Sequence, residues 1–320
     1  LDLTREIVLE NNLSLDEEGF HNEMKAQKEK AREAHKNKEG SAWGKDIFAD
    51  TDKSVKTKFV GYTESVSQSK VLYIVGDNEL KDSAQQDDEV TLILDVTPFY
   101  AESGGQTGDT GIIYNDNFKM EVADCQKTPD EKYLHIGKVV NGSVQPGDIV
   151  TAKIDFEKRK ATARNHTVTH LLHRALKNEL GEHVNQAGSL VSPERLRFDF
   201  THFSALTPEQ LYRIEAEVNS KILENLYVKA EEMSIDEAKK EGATALFGEK
   251  YGDVVRVVSC GEYTKELCGG THLNSTGEAG LIKILGESGI SSGVRRIEAL
   301  TGFNALEYYK SREKLLQNAS

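Results

Sequence analysis

Two short runs far apart in the chain set the strongest constraint on how it can fold. In Arg164-Asn165-His166-Thr167-Val168-Thr169-His170 two imidazoles stand four residues apart, and in Glu266-Leu267-Cys268-Gly269-Gly270-Thr271-His272 a thiol and an imidazole flank two glycines. Residues at the first spacing share one face of a helix, so His166 and His170 project within reach of a single ion. Glycine's freedom in φ lets the second run turn tightly enough to aim Cys268 and His272 inward. Each half alone is weak, because a histidine pair at helical spacing is usually packing and cysteine is commonly a buried small hydrophobe. The conjunction is stronger, and its nitrogen and sulfur donors suit Zn²⁺ rather than Mg²⁺ or Ca²⁺.

The residues leave the purpose of such a site open. Four protein ligands would close it as a structural centre, whereas three, or a loosely held fourth, would leave room for water or a substrate group. A zinc peptidase is disfavoured, because Thr167 stands where a His-Glu-x-x-His motif has its glutamate. His173 lies one turn past His170 and could compete as a ligand. His21, His35, His135, His183 and His202 have no matching partner and read as structural or exposed, and Cys125 and Cys260 read as core residues.

Around these runs the chain divides by pattern, and its 320 residues suggest two or three units. Residues 1–50 are polar, charge-rich and helix-favouring. Residues 51–155 carry short runs rich in Val, Ile, Thr, Phe and Tyr, among them 55–62, 90–96 and 133–140, with turn signals at Gly76-Asp77-Asn78, Asn141-Gly142 and Pro146-Gly147-Asp148. They predict a small β-barrel or sandwich. Residues 156–300 open with a helix capped by Asp155 and stopped by Gly181, then add capping boxes at Thr207/Gln210 and Ser234/Glu237 and strand-like runs near 196–201, 227–233, 253–259, 280–285 and 294–300. The expected class is α+β: a helical segment, a small barrel, then a two-layer zinc-binding domain on a mostly antiparallel sheet. Residues 301–320 read as helix. The absence of an initiator Met at Leu1 suggests an excised fragment.

Charge and composition narrow the partners. With 40 Lys+Arg against 53 Asp+Glu the net charge is −13, which disfavours broad attraction to nucleic acid or an anionic membrane. Any such contact must use local clusters, here Lys158-Arg159-Lys160 with Arg164, Arg195 with Arg197, and Arg295 with Arg296, although such runs usually mark a solvated face. No stretch approaches the about 20 apolar residues of a membrane helix. Three cysteines without a framework spacing fit a reducing compartment, hence the cytoplasm. The glycine-rich run from Thr97 to Gly111 fits a turn or a ligand-approaching loop equally well, and Asn185-Gln186-Ala187-Gly188-Ser189 fits a solvated loop or a site at a strand start.

Taken together, His166-x-x-x-His170, Cys268-x-x-x-His272, the run Phe99-Tyr100-Ala101-Glu102-Ser103-Gly104-Gly105-Gln106 and the phrase Gly293-Val294-Arg295-Arg296-Ile297-Glu298-Ala299 closely resemble the editing region of bacterial-type alanyl-tRNA synthetases and their free-standing relatives. The resemblance extends to the ends. Residues 1–50 look like the close of the tRNA-recognition helices, a segment that free-standing editing proteins lack, and residues 301–320 look like the start of the helical connection to a C-terminal oligomerisation domain. The aminoacylation domain, with its ATP site, would be absent. The resemblance implies hydrolysis of mischarged Ser-tRNA(Ala) or Gly-tRNA(Ala), correcting the tolerance of the ligase for small amino acids. By the same analogy His166, His170, Cys268 and His272 would hold zinc, with Gln186, Cys268, His166, His170 and Thr167 in the catalytic set. The loop Glu102, Ser103, Gly104, Gly105 and Gln106 would close over the amino acid, and Arg164, Arg195, Arg197, Arg295 and Arg296 would meet the tRNA(Ala) acceptor end. Thr167, Glu102, Ser103 and Gln106 are the candidates for reading a serine hydroxyl. The main rival is a tRNA-binding module with a structural zinc, and the third reading is a generic zinc hydrolase of small esters or amides.

Overall fold

A computed structural model describes residues 54–244 and 252–319 of the chain, together with Gly19. The helical segment expected over residues 1–50 lies outside the described residues, apart from Gly19. The first strands are β1 (Lys58–Phe59), β2 (Val66–Gly76), β3 (Glu79–Leu80), β4 (Ala84–Gln85), β5 (Glu89–Leu94), β6 (Val96–Thr97), β7 (Gly111–Asn115), β8 (Phe118–Lys127), β9 (Tyr133–Val144) and β10 (Ile149–Ile154). After them come α1 (Phe156–Leu180), β11 (Gln186–Val191), β12 (Leu196–Thr201), α2 (Pro208–Leu223), β13 (Val228–Ser234), α3 (Ile235–Lys240), β14 (Val254–Cys260), β15 (Thr264–Leu267), β16 (Ile282–Ser291), β17 (Val294–Thr301) and α4 (Gly302–Ala319). The chain falls into two units, of which the second comprises Ser54–Gly76 and Lys81–Ser320. The second unit carries all of these elements except β3.

Six strands close into an antiparallel barrel in the order β10-β7-β8-β9-β5-β2, with β2 paired back onto β10. The alternation in β8 shows why: Phe118, Met120 and Val122 point inward while Lys119 and Glu121 face solvent. Val71, Leu92, Ile113, Phe118, Met120 and Val139 fill the interior, each stabilising the fold by about 1.5–3 kcal/mol through burial. Two local expectations change. Asn141-Gly142 is no chain reversal but a bend inside β9, where Gly142 takes a φ of 71° and an added Cβ would lie 1.7 Å from the Asn117 carbonyl oxygen. The run 55–62 contributes only β1, because the chain turns after it, with Thr63 and Glu64 N–H both donating to Val60 O.

The following part is α+β with two antiparallel sheets rather than one, ordered β11-β12-β17-β16 and β13-β14-β15. Helix α1 starts where the Asp155 carboxylate accepts from Lys158 N–H and ends where Gly181 N–H donates to Lys177 O, both as its sequence predicts. Both capping boxes form, Thr207 with Gln210 opening α2 and Ser234 with Glu237 opening α3. Leu171, Leu172, Leu176, Phe198, Phe200, Ile214 and Ile297 share one core between α1, α2 and the four-stranded sheet. No described helix is long and apolar enough to cross a membrane.

A buried ion pair joins the barrel to α1. Arg159 Nε donates to both carboxylate oxygens of Asp109, and its Nη atoms donate to Asp109, to Gly61 O at 2.6 Å and to Pro98 O at 2.8 Å. Arg159 therefore leaves the basic cluster in which its sequence neighbours placed it. Removing one partner of such a buried pair costs about 3–5 kcal/mol, because the other charge is stranded.

Within the barrel, His135 is fully buried, donates from Nδ1 to Leu92 O at 2.9 Å and accepts at Nε2 from the Thr97 hydroxyl at 2.7 Å. Burial pushes its pKa down to about 4 from 6.5. The unfolded chain therefore binds more protons between these values, so stability is complete above pH 6.5 and falls as pH drops toward about 4. The loss from this group is about 3 kcal/mol. Denaturant melts across that window should show the slope in the wild type and a flatter one in His135→Gln; equal slopes would contradict a histidine buried in its neutral form.

Candidate metal centre

The helix and the turn meet as their spacings require. His166 and His170 lie on one face of α1 with ring centroids 5.3 Å apart, and the His272 ring sits 4.5 Å from the first and 5.0 Å from the second. Cys268 Sγ stands 3.4 Å from His166 Nε2 and 3.3 Å from His272 Nε2, and one ligand atom from each of the four residues lies within 4.8 Å of the others. A tetrahedral ion with metal–nitrogen bonds of about 2.0 Å and metal–sulfur bonds of about 2.3 Å requires nitrogen–sulfur edges of about 3.5 Å, which the Cys268–His166 and Cys268–His272 separations match.

Each imidazole is held by its other nitrogen. His166 Nδ1 donates to Gln106 Oε1 at 2.7 Å and His170 Nδ1 to Glu266 Oε2 at 2.6 Å, while His272 Nδ1 is hydrogen-bonded to the Thr167 hydroxyl at 3.3 Å. Engaging Nδ1 in this way turns Nε2 toward the common point, the arrangement that orients metal-bound histidines in general. The Nε2 of His170 is buried without a hydrogen-bond partner. An orphan of that kind costs about 1–3 kcal/mol, and a metal ion would remove the cost. Electrostatics agree. Burial would raise the Cys268 thiol, but the imidazoles of His166, His272 and His170 hold it well below its ordinary value, favouring the thiolate that a metal takes. Burial disfavours charge on His170, yet the Glu266 carboxylate and then Cys268 raise it to about 10, while burial pushes His272 down to about 3. Metal entry must therefore displace a proton from His170.

A cavity of about 290 Å³ opens on the quartet, lined by His166, His170 and Cys268 together with Gln186, Ser103 and Gly104 from the predicted set. Gln106 is fully buried behind it, where Oε1 also accepts from Thr271 N–H at 2.9 Å and Nε2 donates to the Thr271 hydroxyl at 2.9 Å. Thr167 is also fully buried, accepting from Leu273 N–H and hydrogen-bonded to His272 Nδ1. Gly105 O accepts from Val191 N–H, docking the loop on β11. Glu102 is exposed and accepts from Gln126, away from the cavity lining. His173 is no member of the quartet: its Nδ1 donates to Glu266 Oε1 at 2.8 Å, so one carboxylate orients two imidazoles. His183 and His202 do have a partner, each other, at 2.9 Å.

None of the five predicted arginines lines this cavity. Arg296 pairs bidentately with Asp199, Arg295 with Glu287 and Arg195 with Glu298, Arg197 lies 3.9 Å from Asp199, and Arg164 donates to Glu278 O. The arginine that does line it is Arg256, with Thr169 and Tyr100. A lone cation inside the apolar run Val254-Val255-Arg256-Val257-Val258 was the available signal.

The turn itself tolerates little. A Cβ on Gly270 would lie 2.1 Å from His166 Cε1 and 2.3 Å from its Nδ1. Gly270→Ala should therefore displace the ring, cost about 2 kcal/mol of stability and weaken metal binding at least tenfold in chelator competition. Wild-type affinity in that variant would contradict so close a packing of the turn against His166.

Comparison with known proteins agrees with this layout. The family described as tRNA synthetases class II (A) matches residues 1–158, and the threonyl and alanyl tRNA synthetase second additional domain matches residues 255–298, which hold the Cys268–His272 turn. An alanine–tRNA ligase of Acetivibrio thermocellus is 61% identical over 318 residues, 99% of this chain and 36% of the relative. Those of Thermoanaerobacter pseudethanolicus and Clostridioides difficile are 53% and 51% identical over 320 and 316 residues, again spanning 36% of each relative. The chain thus spans about a third of the length of these ligases, and over that span it belongs to the alanyl-tRNA synthetase family.

Proposed function

We propose that this part of the synthetase is its editing site, a zinc-dependent deacylase that hydrolyses the ester of Ser-tRNA(Ala) and Gly-tRNA(Ala). The observation that carries the proposal is that His166, His170 and Cys268 of the quartet open onto a cavity of about 290 Å³ rather than into a sealed core. That volume holds a small amino acid together with a terminal ribose. The nitrogen and sulfur donors favour Zn²⁺, which when bound supplies a Lewis acid able to polarise an ester or its attacking water.

The chain's own residues provide the rest. Gln106, Glu266 and Thr167 hold the three imidazoles in one orientation, so no reorganisation of these rings is needed when substrate arrives. Gln186 and Ser103 present an amide and a hydroxyl to the cavity, where they would orient the aminoacyl group and the water. Ser103, rather than the buried Thr167 and Gln106 or the outlying Glu102, is the candidate of the sequence reading best placed to meet a serine hydroxyl. An activated ester needs a positioned water more than a protein nucleophile, which suits a site without a serine triad. The tRNA acceptor end is the proposed partner, with the five predicted arginines as peripheral phosphate contacts; Arg195, Arg197, Arg295 and Arg296 would have to exchange carboxylate partners and Arg164 a backbone carbonyl. The cytoplasm is the proposed compartment, in keeping with three free cysteines. Oligomerisation is assigned to other parts of the full-length protein.

Deacylation by the 320-residue chain tests this directly. Ser-tRNA(Ala) should be cleared far faster than Ala-tRNA(Ala). Cys268→Ala and chelator treatment should each lower the rate at least a hundredfold, with zinc restoring the chelated wild type. A metal-loaded chain that binds tRNA but hydrolyses nothing would instead establish the structural-zinc reading.

A further inference from the structure

We propose that Arg256 and Tyr62 form a carbonyl clamp that fixes Cys268, which makes both of them positioning residues of the metal centre. The clamp rests on the reading of the quartet as a metal site. Three successive carbonyls beginning at the thiolate residue are held by these two side chains. Arg256 Nη1 donates to Cys268 O at 3.0 Å and to Gly270 O at 2.8 Å, and the Tyr62 hydroxyl donates to Gly269 O, between them, at 2.6 Å. The guanidinium carbon lies 4.2 Å from the centre of the Tyr62 ring, within the range of cation–π attraction, so the two halves of the clamp also hold each other.

The turn needs such a device. Its middle residues have no side chains, and a Cβ on Gly269 would meet nothing within 4 Å, so packing cannot hold the backbone there. With the carbonyls drawn toward Arg256 and Tyr62, Gly270 N–H comes to 3.4 Å from Cys268 Sγ, an orientation that supports the thiolate. The clamp is itself anchored. Gly61 O, one residue before Tyr62, accepts from Arg159, and the Phe59 ring meets the Tyr62 ring edge-on at 5.0 Å. Arg256 is placed by β14, where Cys268 N–H also donates to Arg256 O at 2.9 Å. Barrel and α+β part thus each contribute one jaw.

Cobalt(II) titration of the full chain, followed through the thiolate-to-cobalt charge-transfer band, tests the clamp. Tyr62→Phe keeps the ring and removes one hydrogen bond, and Arg256→Lys keeps the charge but loses the planar fork. Each should bind cobalt about tenfold more weakly than wild type and show an altered charge-transfer band. Metal-free Tyr62→Phe should melt at the wild-type temperature, separating positioning from general stability and carrying the test if Arg256→Lys does not fold. Wild-type affinity and an unaltered band in both variants would overturn the clamp alone. A wild-type chain that takes up no cobalt would overturn the metal site and the clamp together.

Discussion

Three imidazoles must turn the same nitrogen toward one point, and this requirement organises the second compact unit. A neutral histidine offers one donor and one acceptor, so aiming Nε2 at a metal means finding a fixed partner for Nδ1. The fold supplies three from three places: Gln106 from the barrel loop, Glu266 from β15 and Thr167 from α1 itself. Because these partners are distant in sequence, barrel, helix and small sheet must all be in place before the donors converge. The quartet is thus a consequence of the tertiary fold, and the cavity beside it inherits its rigidity.

The barrel is therefore part of the site rather than a neighbour to it. Arg159 ties α1 to Asp109 and to the carbonyls of Gly61 and Pro98, setting the helix against the loops that carry Tyr62 and Ser103. Gln106 then reaches from the same glycine-rich run to both His166 and the Thr271 backbone. Between them the two contacts fix the distance from the loop to the histidine–cysteine quartet, and with it the width of the cavity beside the quartet. The acidic balance of the chain fits this arrangement, since the cations nearest the quartet serve backbone carbonyls and buried carboxylates rather than a broad basic surface.

Much of this was legible in the sequence where the physics is local. The caps at Asp155, Thr207 and Ser234, the stop at Gly181 and the inward alternation of β8 follow from interactions spanning a few residues. The convergence of His166, His170, Cys268 and His272 was legible because ligand chemistry restricts residue type so tightly. What escaped depends on contacts between distant segments. Asn141-Gly142 has the composition of a reversal, yet the strand opposite turns first, at Asn115–Asn117, and β9 merely bends past it. The short β15 was missed although it carries Glu266, whose partners lie on α1. Arg256 and Arg159 look like ordinary cations in sequence, and only the fold shows that each binds two or more backbone carbonyls or a buried carboxylate.

The most direct test of the metal centre is X-ray absorption at the zinc edge of the zinc-loaded chain. It should give one zinc per chain with three nitrogen neighbours at about 2.0 Å and one sulfur at about 2.3 Å, the sulfur shell vanishing in Cys268→Ala. A shell of oxygen neighbours without sulfur, or a spectrum unchanged by that substitution, would contradict the claim that His166, His170, Cys268 and His272 are one metal centre.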